Sequence, residues 1–298
     1  MQILCLFAKK LKVFFVNNKK KIIITGANGF IGGLLFQKLK KIYNVVGLTR
    51  ESNESFLKCD INNIDELLEV NKTVRPDVVI HAAGTKDIKF CENNKKKAYQ
   101  INANLVENIT KTFQDSLIIY ISTDYVFSGD KGMFCENEAP NPKTIYGKTK
   151  LQGERIGLKN SSNNFKIIRT ASIFSEKSQF ISFIDKNVKL KKDVLAFKDA
   201  IISPTYIGQL ICAINELIQK KYLQNIFHVC GEPVTRYEFA KLYSITRFGN
   251  FNYILEAETD SSHPFLFKNL SLDTQLTDSY IACNKMGLED AFREIISE

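Results

Sequence analysis

The sequence predicts an α/β protein with a doubly wound parallel sheet and a smaller C-terminal lobe. Three observations carry this. Lys21-Ile22-Ile23-Ile24-Thr25 is a continuous apolar run, the mark of a strand covered on both faces. Short β-branched runs alternate with longer helical patterns as far as about Ser175. A glycine-rich turn lies directly between the first strand and the first helix.

The elements follow in order. A helix is expected over Phe30–Lys41, then a strand at Val45–Leu48 and a helix at Asp65–Val70. Asp77–His81 reads as the third strand. Ile101, Leu105 and Ile109 recur every four residues, which predicts one helix over Lys97–Phe113. Leu117–Ile121 is the fourth strand, Tyr146–Leu158 a helix and Phe165–Arg169 the fifth strand. Beyond Ser175 the rhythm loosens, with helices at Phe180–Leu190, Tyr206–Gln219 and Arg236–Tyr243 and strands at Val194–Phe197 and Ile226–Val229. The expected organisation is an extension over 1–18, a dinucleotide-binding domain over 19–175, and a substrate-binding lobe over most of 176–298, some of whose segments return to the first domain.

Composition bounds the function. In 298 residues, 44% are apolar and 24% charged, which excludes a disordered or collagen-like chain. Lys and Arg number 41 against 32 Asp and Glu, a net charge of +9. The lysines are scattered and no nucleic-acid recognition motif is present, so the excess reads as compositional drift plus an anionic small ligand. Seven cysteines at wide spacing, with no CxxC pair, argue against a disulfide framework and a structural zinc, and point to a reduced, cytoplasmic chain. No metal is expected. No apolar run reaches the ~20 residues of a membrane span.

Thr25-Gly26-Ala27-Asn28-Gly29-Phe30-Ile31-Gly32 spaces its glycines as GxxGxxG. Lacking side chains there, the backbone approaches a pyrophosphate, and the helix N-terminus offers it free N–H groups. This is a Rossmann-type turn. The second strand ends in Leu48-Thr49-Arg50 with no acid before Glu51, and a basic residue there favours the 2′-phosphate of NADP over the 2′-hydroxyl of NAD. NADP(H) is therefore the expected cofactor, with NAD(H) the second choice. Asp60, with Ile61 beside it, is placed to accept from the adenine amino group. Ala82, Ala83 and Gly84 leave room after the third strand for ribose and pyrophosphate. His81 reads as a core histidine with no chemistry.

Two later segments carry reactive groups. Ile121-Ser122-Thr123-Asp124-Tyr125-Val126-Phe127 closes the fourth strand, at the strand end where ligands bind in such sheets. Tyr146 and Lys150 are four residues apart on the next helix, hence on one face. A lysine cation one turn away favours the phenolate of a tyrosine. The pair can give a proton to a carbonyl oxygen while a nicotinamide delivers hydride, with Thr123 holding that oxygen.

These residues resemble an extended short-chain dehydrogenase/reductase, and within that superfamily the dTDP-4-dehydrorhamnose reductase family. The likeness runs from Lys21 to about Thr274 and is strongest in Thr25–Gly32, Ser122–Gly129 and Tyr146–Glu154. It implies reduction of the 4-keto group of a nucleotide-linked deoxysugar by NAD(P)H, as in dTDP-rhamnose biosynthesis. By motif position it implies Thr123, Tyr146 and Lys150 as the catalytic trio. Gly26, Asn28, Gly29, Phe30, Ile31, Gly32, Ala82, Ala83, Gly84, Asn102, Tyr146 and Lys150 would line the cofactor, with Arg50, Asp60 and Ile61 at its adenosine end. Asp124, Tyr125, Val126 and Phe127 would meet the sugar nucleotide. A homodimer is left open. The chain departs from the family pattern at Thr85–Glu92, Asp199–Thr205 and His263-Pro264, which leaves the sugar open. A nucleotide-sugar epimerase or dehydratase shares the trio, and the non-catalytic regulatory subunit of methionine adenosyltransferase resembles the same family. Lys186, Lys189, Lys191 and Lys192 are candidate phosphate partners.

Overall fold

The computed structural model describes residues 19–51, 54–161, 163–282 and 286–297. The expected extension over 1–18 lies outside them. Along the chain run β1 (Lys21–Thr25), α1 (Phe30–Leu39), β2 (Asn44–Thr49), β3 (Phe56–Lys58), α2 (Ile64–Val74), β4 (Val78–His81), α3 (Ile88–Asn93), α4 (Lys95–Tyr99), a π-helical turn (Gln100–Asn104), α5 (Leu105–Thr112) and β5 (Leu117–Thr123). A 3₁₀ turn (Asp124–Val126) leads on to α6 (Ile145–Ser161), β6 (Phe165–Thr170), β7 (Ile173–Phe174) and α7 (Gln179–Lys189). Then come β8 (Val194–Phe197), β9 (Ile201–Ile202), β10 (Thr205–Tyr206), α8 (Ile207–Gln219) and β11 (Ile226–His228). The last elements are β12 (Val234–Thr235), α9 (Arg236–Phe248), β13 (Ile254–Ala257), α10 (Gln275–Tyr280) and α11 (Leu288–Ser297).

The doubly wound sheet is present. Seven strands lie in the order β11-β6-β5-β4-β1-β2-β3, and β1 pairs in parallel with both β2 and β4. Ile22, Ile23 and Ile24 have no exposed surface, nor do Val79, Ile80, Ile118 and Ile119. Strands covered on both faces need no polar alternation, and that is why their sequences read as unbroken apolar runs. Short polar side chains cap some of the helix starts. The Asn63 side chain accepts from the amides of Asp65 and Glu66 at the start of α2, and Thr235 and Glu238 form a reciprocal capping box at α9.

The chain divides into two compact units. One comprises 1–122, 148–167 and 220–225; the other comprises 123–147, 168–219 and 226–298. The second has its own aromatic core, in which Phe174, Phe239, Tyr243 and Phe292 meet edge to face at 5.0 to 5.6 Å. Its strands beyond the large sheet form two-stranded pieces, β10-β7, β12-β9 and β13-β8.

The structure adds short elements the sequence did not announce, β7, β9, β10, β12, β13, α3, α10 and α11, and it differs from the sequence reading at three further points. β3 was not expected; three residues are too few to show a period, and pairing with β2 defines them. The single helix expected over Lys97–Phe113 is interrupted by the π-helical turn, which carries Asn102 into the interior at 1% exposure. Finally, Cys212 is disulfide-bonded, whereas Cys59, Cys91, Cys135 and Cys230 are free. A bridge needs two Cα atoms within about 4.4–6.8 Å, a proximity that spacing along the chain does not reveal. Among the described residues no helix is long and apolar enough to cross a membrane, and no cluster of His, Cys, Asp or Glu is arranged to hold a metal ion.

Candidate active site

The glycine turn is built for close approach. Gly26 sits at φ +68°, and a Cβ there would meet the Ala83 Cα at 2.7 Å. Only glycine satisfies both the left-handed backbone and that contact. The Gly29 amide donates to the Gly26 carbonyl at 2.9 Å, and Gly32 is buried at the start of α1. Asn28 and Gly29 are exposed at the tip; Phe30 and Ile31 are half-buried. The turn is tied to β4 through Thr25, whose hydroxyl accepts from the Ala83 amide at 3.3 Å and pairs with His81 Nδ1 at 2.7 Å. Burial pushes His81 down to about 3, with the Lys150 charge adding to it, so His81 is neutral. That agrees with its reading as a core residue.

Arg50 is exposed immediately after β2. Asp60 accepts from the amide and the side chain of Asn62 at 3.0 and 2.9 Å, and these bonds, with Arg50 contributing, hold its carboxyl below the usual range. Ile61 is buried, and its carbonyl accepts from Asn108 at 3.1 Å. Ala82 and Ala83 are half-buried and Gly84 is exposed. The side chain of Asn102 is spent on the protein itself. Its Oδ1 accepts from the Thr85 amide at 2.8 Å, and its Nδ2 donates to the Thr85 carbonyl and the Thr149 hydroxyl at 3.1 and 3.0 Å. Asn102 therefore fixes the loop that follows Gly84 rather than offering a free amide. The π-helical turn that aims it has no periodic signature in the sequence.

These residues fit a dinucleotide. The cradle left open by Gly26 and Gly29 at a helix N-terminus suits a pyrophosphate, and small residues at the end of β4 suit the ribose beyond it.

Lys150 is 6% exposed on α6, and its ammonium donates to the Ile121 carbonyl at 2.7 Å. It lies 3.9 Å from the centre of the Tyr120 ring. Burial pulls its pKa down to about 7, against the raising influence of Glu154. Glu154 is itself buried and accepts from the Ser122 hydroxyl at 2.5 Å. Tyr146 is half-buried, one turn before Lys150.

In the other unit Thr123 ends β5, with its hydroxyl donating to Asp124 Oδ1 at 2.9 Å. The Tyr125 ring lies between those of Tyr146 and Phe267, 5.7 Å from each, and its hydroxyl donates to the Phe265 carbonyl at 3.1 Å. Burial raises the Asp124 carboxyl to about 7, the Thr123 bond and Arg236 opposing. Gly147 is dictated here: a Cβ on it would run into the Tyr125 carbonyl oxygen. Val126 and Phe127, expected beside the sugar nucleotide, have 0% and 1% exposure, and Phe127 stacks on Phe134 at 4.6 Å beneath the Arg169 guanidinium. Their side chains belong to the packing of the unit, because the 3₁₀ turn directs them inward. Lys186 and Lys189 are exposed in the last turn of α7. Arg236, which the sequence reading did not single out, is half-buried and acts electrostatically on Asp124 and Tyr125.

Comparison with known proteins gives consistent matches. The family model described as RmlD substrate binding domain matches residues 20–262. A dTDP-4-dehydrorhamnose reductase from Aggregatibacter actinomycetemcomitans is 32% identical over 74% of this chain and 76% of its own. A methionine adenosyltransferase 2 subunit beta from Danio rerio is 28% identical over 74% of this chain and 71% of its own. Among solved structures, the dTDP-4-dehydrorhamnose reductase of Bacillus anthracis in complex with NADP is 26% identical, with a TM-score of 0.83 over 95% of this chain and 99% of that one.

Proposed function

Since the chain belongs to the RmlD substrate-binding-domain family, we propose that it is an NADPH-dependent reductase of the 4-keto group of a nucleotide-linked deoxysugar, of the dTDP-4-dehydrorhamnose type. One observation carries the chemistry. Tyr146 and Lys150 stand one turn apart at the start of α6, and the Lys150 ammonium is buried and held by the Ile121 carbonyl. A solvated helix face does not bury a lysine.

Gly26, Gly29 and Gly32 hold the cofactor pyrophosphate, Arg50 its 2′-phosphate and Asp60 its adenine. A nicotinamide bound there would supply the hydride. Tyr146 Oη gives its proton to the oxygen that becomes the new hydroxyl, and solvent later returns a proton to the phenolate. The positive charge of Lys150 stabilises that phenolate. Thr123 Oγ1 donates to the same oxygen, while Tyr125 and Phe267 wall the sugar. A positioned proton donor of this kind is worth about 10²–10⁴-fold.

The test is NADPH oxidation by the purified protein against a panel of 4-keto nucleotide sugars, dTDP-4-dehydrorhamnose among them. Turnover is expected, with Tyr146→Phe lowering kcat by about 10²–10⁴-fold at unchanged NADPH affinity. Thr123→Val is expected to cost less, since it removes a hydrogen bond and not the proton. The likeness to methionine adenosyltransferase 2 subunit beta favours a second reading, a non-catalytic regulatory subunit. That reading requires no turnover on any keto sugar, together with binding to a methionine adenosyltransferase catalytic chain that Tyr146→Phe leaves intact.

A further inference from the structure

Arg236 is the first residue of α9, and its charge acts on Asp124 and Tyr125 without a direct bond to either. The helix end itself is satisfied. The Thr235 hydroxyl accepts from the Glu238 amide at 3.0 Å, Glu238 accepts from the Thr235 amide at 2.8 Å, and the Arg236 amide donates to the Ala200 carbonyl at 3.1 Å. The guanidinium is different. Its Nε is buried with no hydrogen-bond partner, and among the described residues the guanidinium makes no hydrogen bond or ion pair.

The two polar groups that act on it are committed elsewhere. The Tyr125 hydroxyl donates to the Phe265 carbonyl, and Asp124 Oδ1 receives the Thr123 hydroxyl. Burial, moreover, favours the neutral form of Asp124. A buried N–H without an acceptor is costly, and such groups in folded proteins are normally paired. The group missing from the guanidinium is therefore an acceptor, and an anionic one suits it best. Its planar fork of donors matches the oxygens of a phosphate. The exposed lysines of α7, by contrast, are solvated.

We propose that Arg236 anchors the diphosphate of the nucleotide-sugar substrate, beside the Thr123-Asp124-Tyr125 turn. This rests on the reductase reading and names what holds the fixed charge of its substrate. The anchor acts on binding and leaves the proton and hydride transfers to other groups. It also gives the net charge of the chain a local use at one residue.

The experiment is calorimetric titration of the NADP-loaded full chain with thymidine diphosphate, for wild type, Arg236→Gln and Arg236→Lys, alongside steady-state kinetics. Thymidine is the uncharged control. Arg236→Gln is expected to weaken thymidine diphosphate at least tenfold and to raise the substrate KM in parallel, with kcat changing less than KM. Thymidine and NADP affinities stay unchanged. Arg236→Lys, which keeps the charge and the bulk, falls between, and it serves if the glutamine variant does not fold. Unchanged affinity for thymidine diphosphate in both variants overturns the assignment. So does a raised KM with unchanged thymidine diphosphate affinity, which would place Arg236 on the sugar. The two readings fail separately. Wild-type protein without turnover, but with Arg236-dependent binding of thymidine diphosphate, loses the reductase and keeps the anchor. Turnover with Arg236-independent binding does the reverse.

Discussion

The hydroxyl of Thr123 donates to Oδ1 of its neighbour Asp124 at 2.9 Å. Thr123 has one proton to give, so while Asp124 is ionised that proton is engaged. A protonated Asp124 can donate to Thr123 instead, which frees the Thr123 proton for a ketone oxygen. Burial brings Asp124 up to about 7, which favours the protonated arrangement relative to an exposed carboxyl.

The raised Asp124 carboxyl should make stability depend on pH. The folded-state pKa of Asp124 lies above its ordinary 3.8. The native state then keeps a proton that the unfolded chain has released, and stability from this group is lost as pH rises from 3.8 to about 7. Asp124→Asn should remove that slope. Denaturant midpoints at pH 5 and pH 8 should therefore differ less in the variant than in wild type. An identical difference in both would show that Asp124 does not titrate in this window.

Activity should depend on pH through Lys150, whose ammonium is brought to about 7 by burial. The cation that stabilises the Tyr146 phenolate is lost as pH rises through that value, so kcat should decline on the alkaline side. Glu154 supports the cation, and Glu154→Gln keeps an acceptor for Ser122. This variant should move the alkaline limb of the kcat profile to lower pH, by on the order of one unit. A limb that stays in place would disconnect it from Lys150.

Asn102→Ala leaves the Thr85 amide and carbonyl without the partners now at 2.8 and 3.1 Å. The expected cost is about 1–3 kcal/mol of stability, read as a fall in Tm. NADPH affinity should fall with it, because the loop after Ala82-Ala83-Gly84 is no longer fixed. Thr149→Val, which removes the third bond of the Asn102 amide and leaves both Thr85 bonds in place, should do less to NADPH affinity.

At the adenosine end, Arg50→Asp should weaken NADPH and spare or improve NADH, measured by fluorescence titration of the two cofactors. The wild-type preference for NADPH should shrink as salt rises, since Arg50 is exposed and an exposed pair is screened beyond about 10 Å at 0.1 M salt. Equal affinities in the wild type would remove Arg50 from the 2′-phosphate.

What the sequence determined by itself was whatever local pattern fixes. Ile22–Ile24 and Ile118–Ile119 announced buried strands because both faces of the sheet are covered. The glycine spacing after Thr25 announced its turn because only a residue without Cβ fits the left-handed backbone at Gly26. Four-residue spacing put Tyr146 and Lys150 on one helix face. Tertiary structure alone decided the rest, since those features depend on residues far apart in the chain. Asn102 is turned inward by a π-helical turn and spent on Thr85, seventeen positions away. Val126 and Phe127 stand in a motif beside Thr123 yet are buried, Phe127 against Phe134 and Arg169. Arg236 looks like any exposed arginine in sequence. Only the fold gives it a buried Nε without an acceptor and lets its charge act on Asp124 and Tyr125, because no local spacing records a relation between residues 124 and 236.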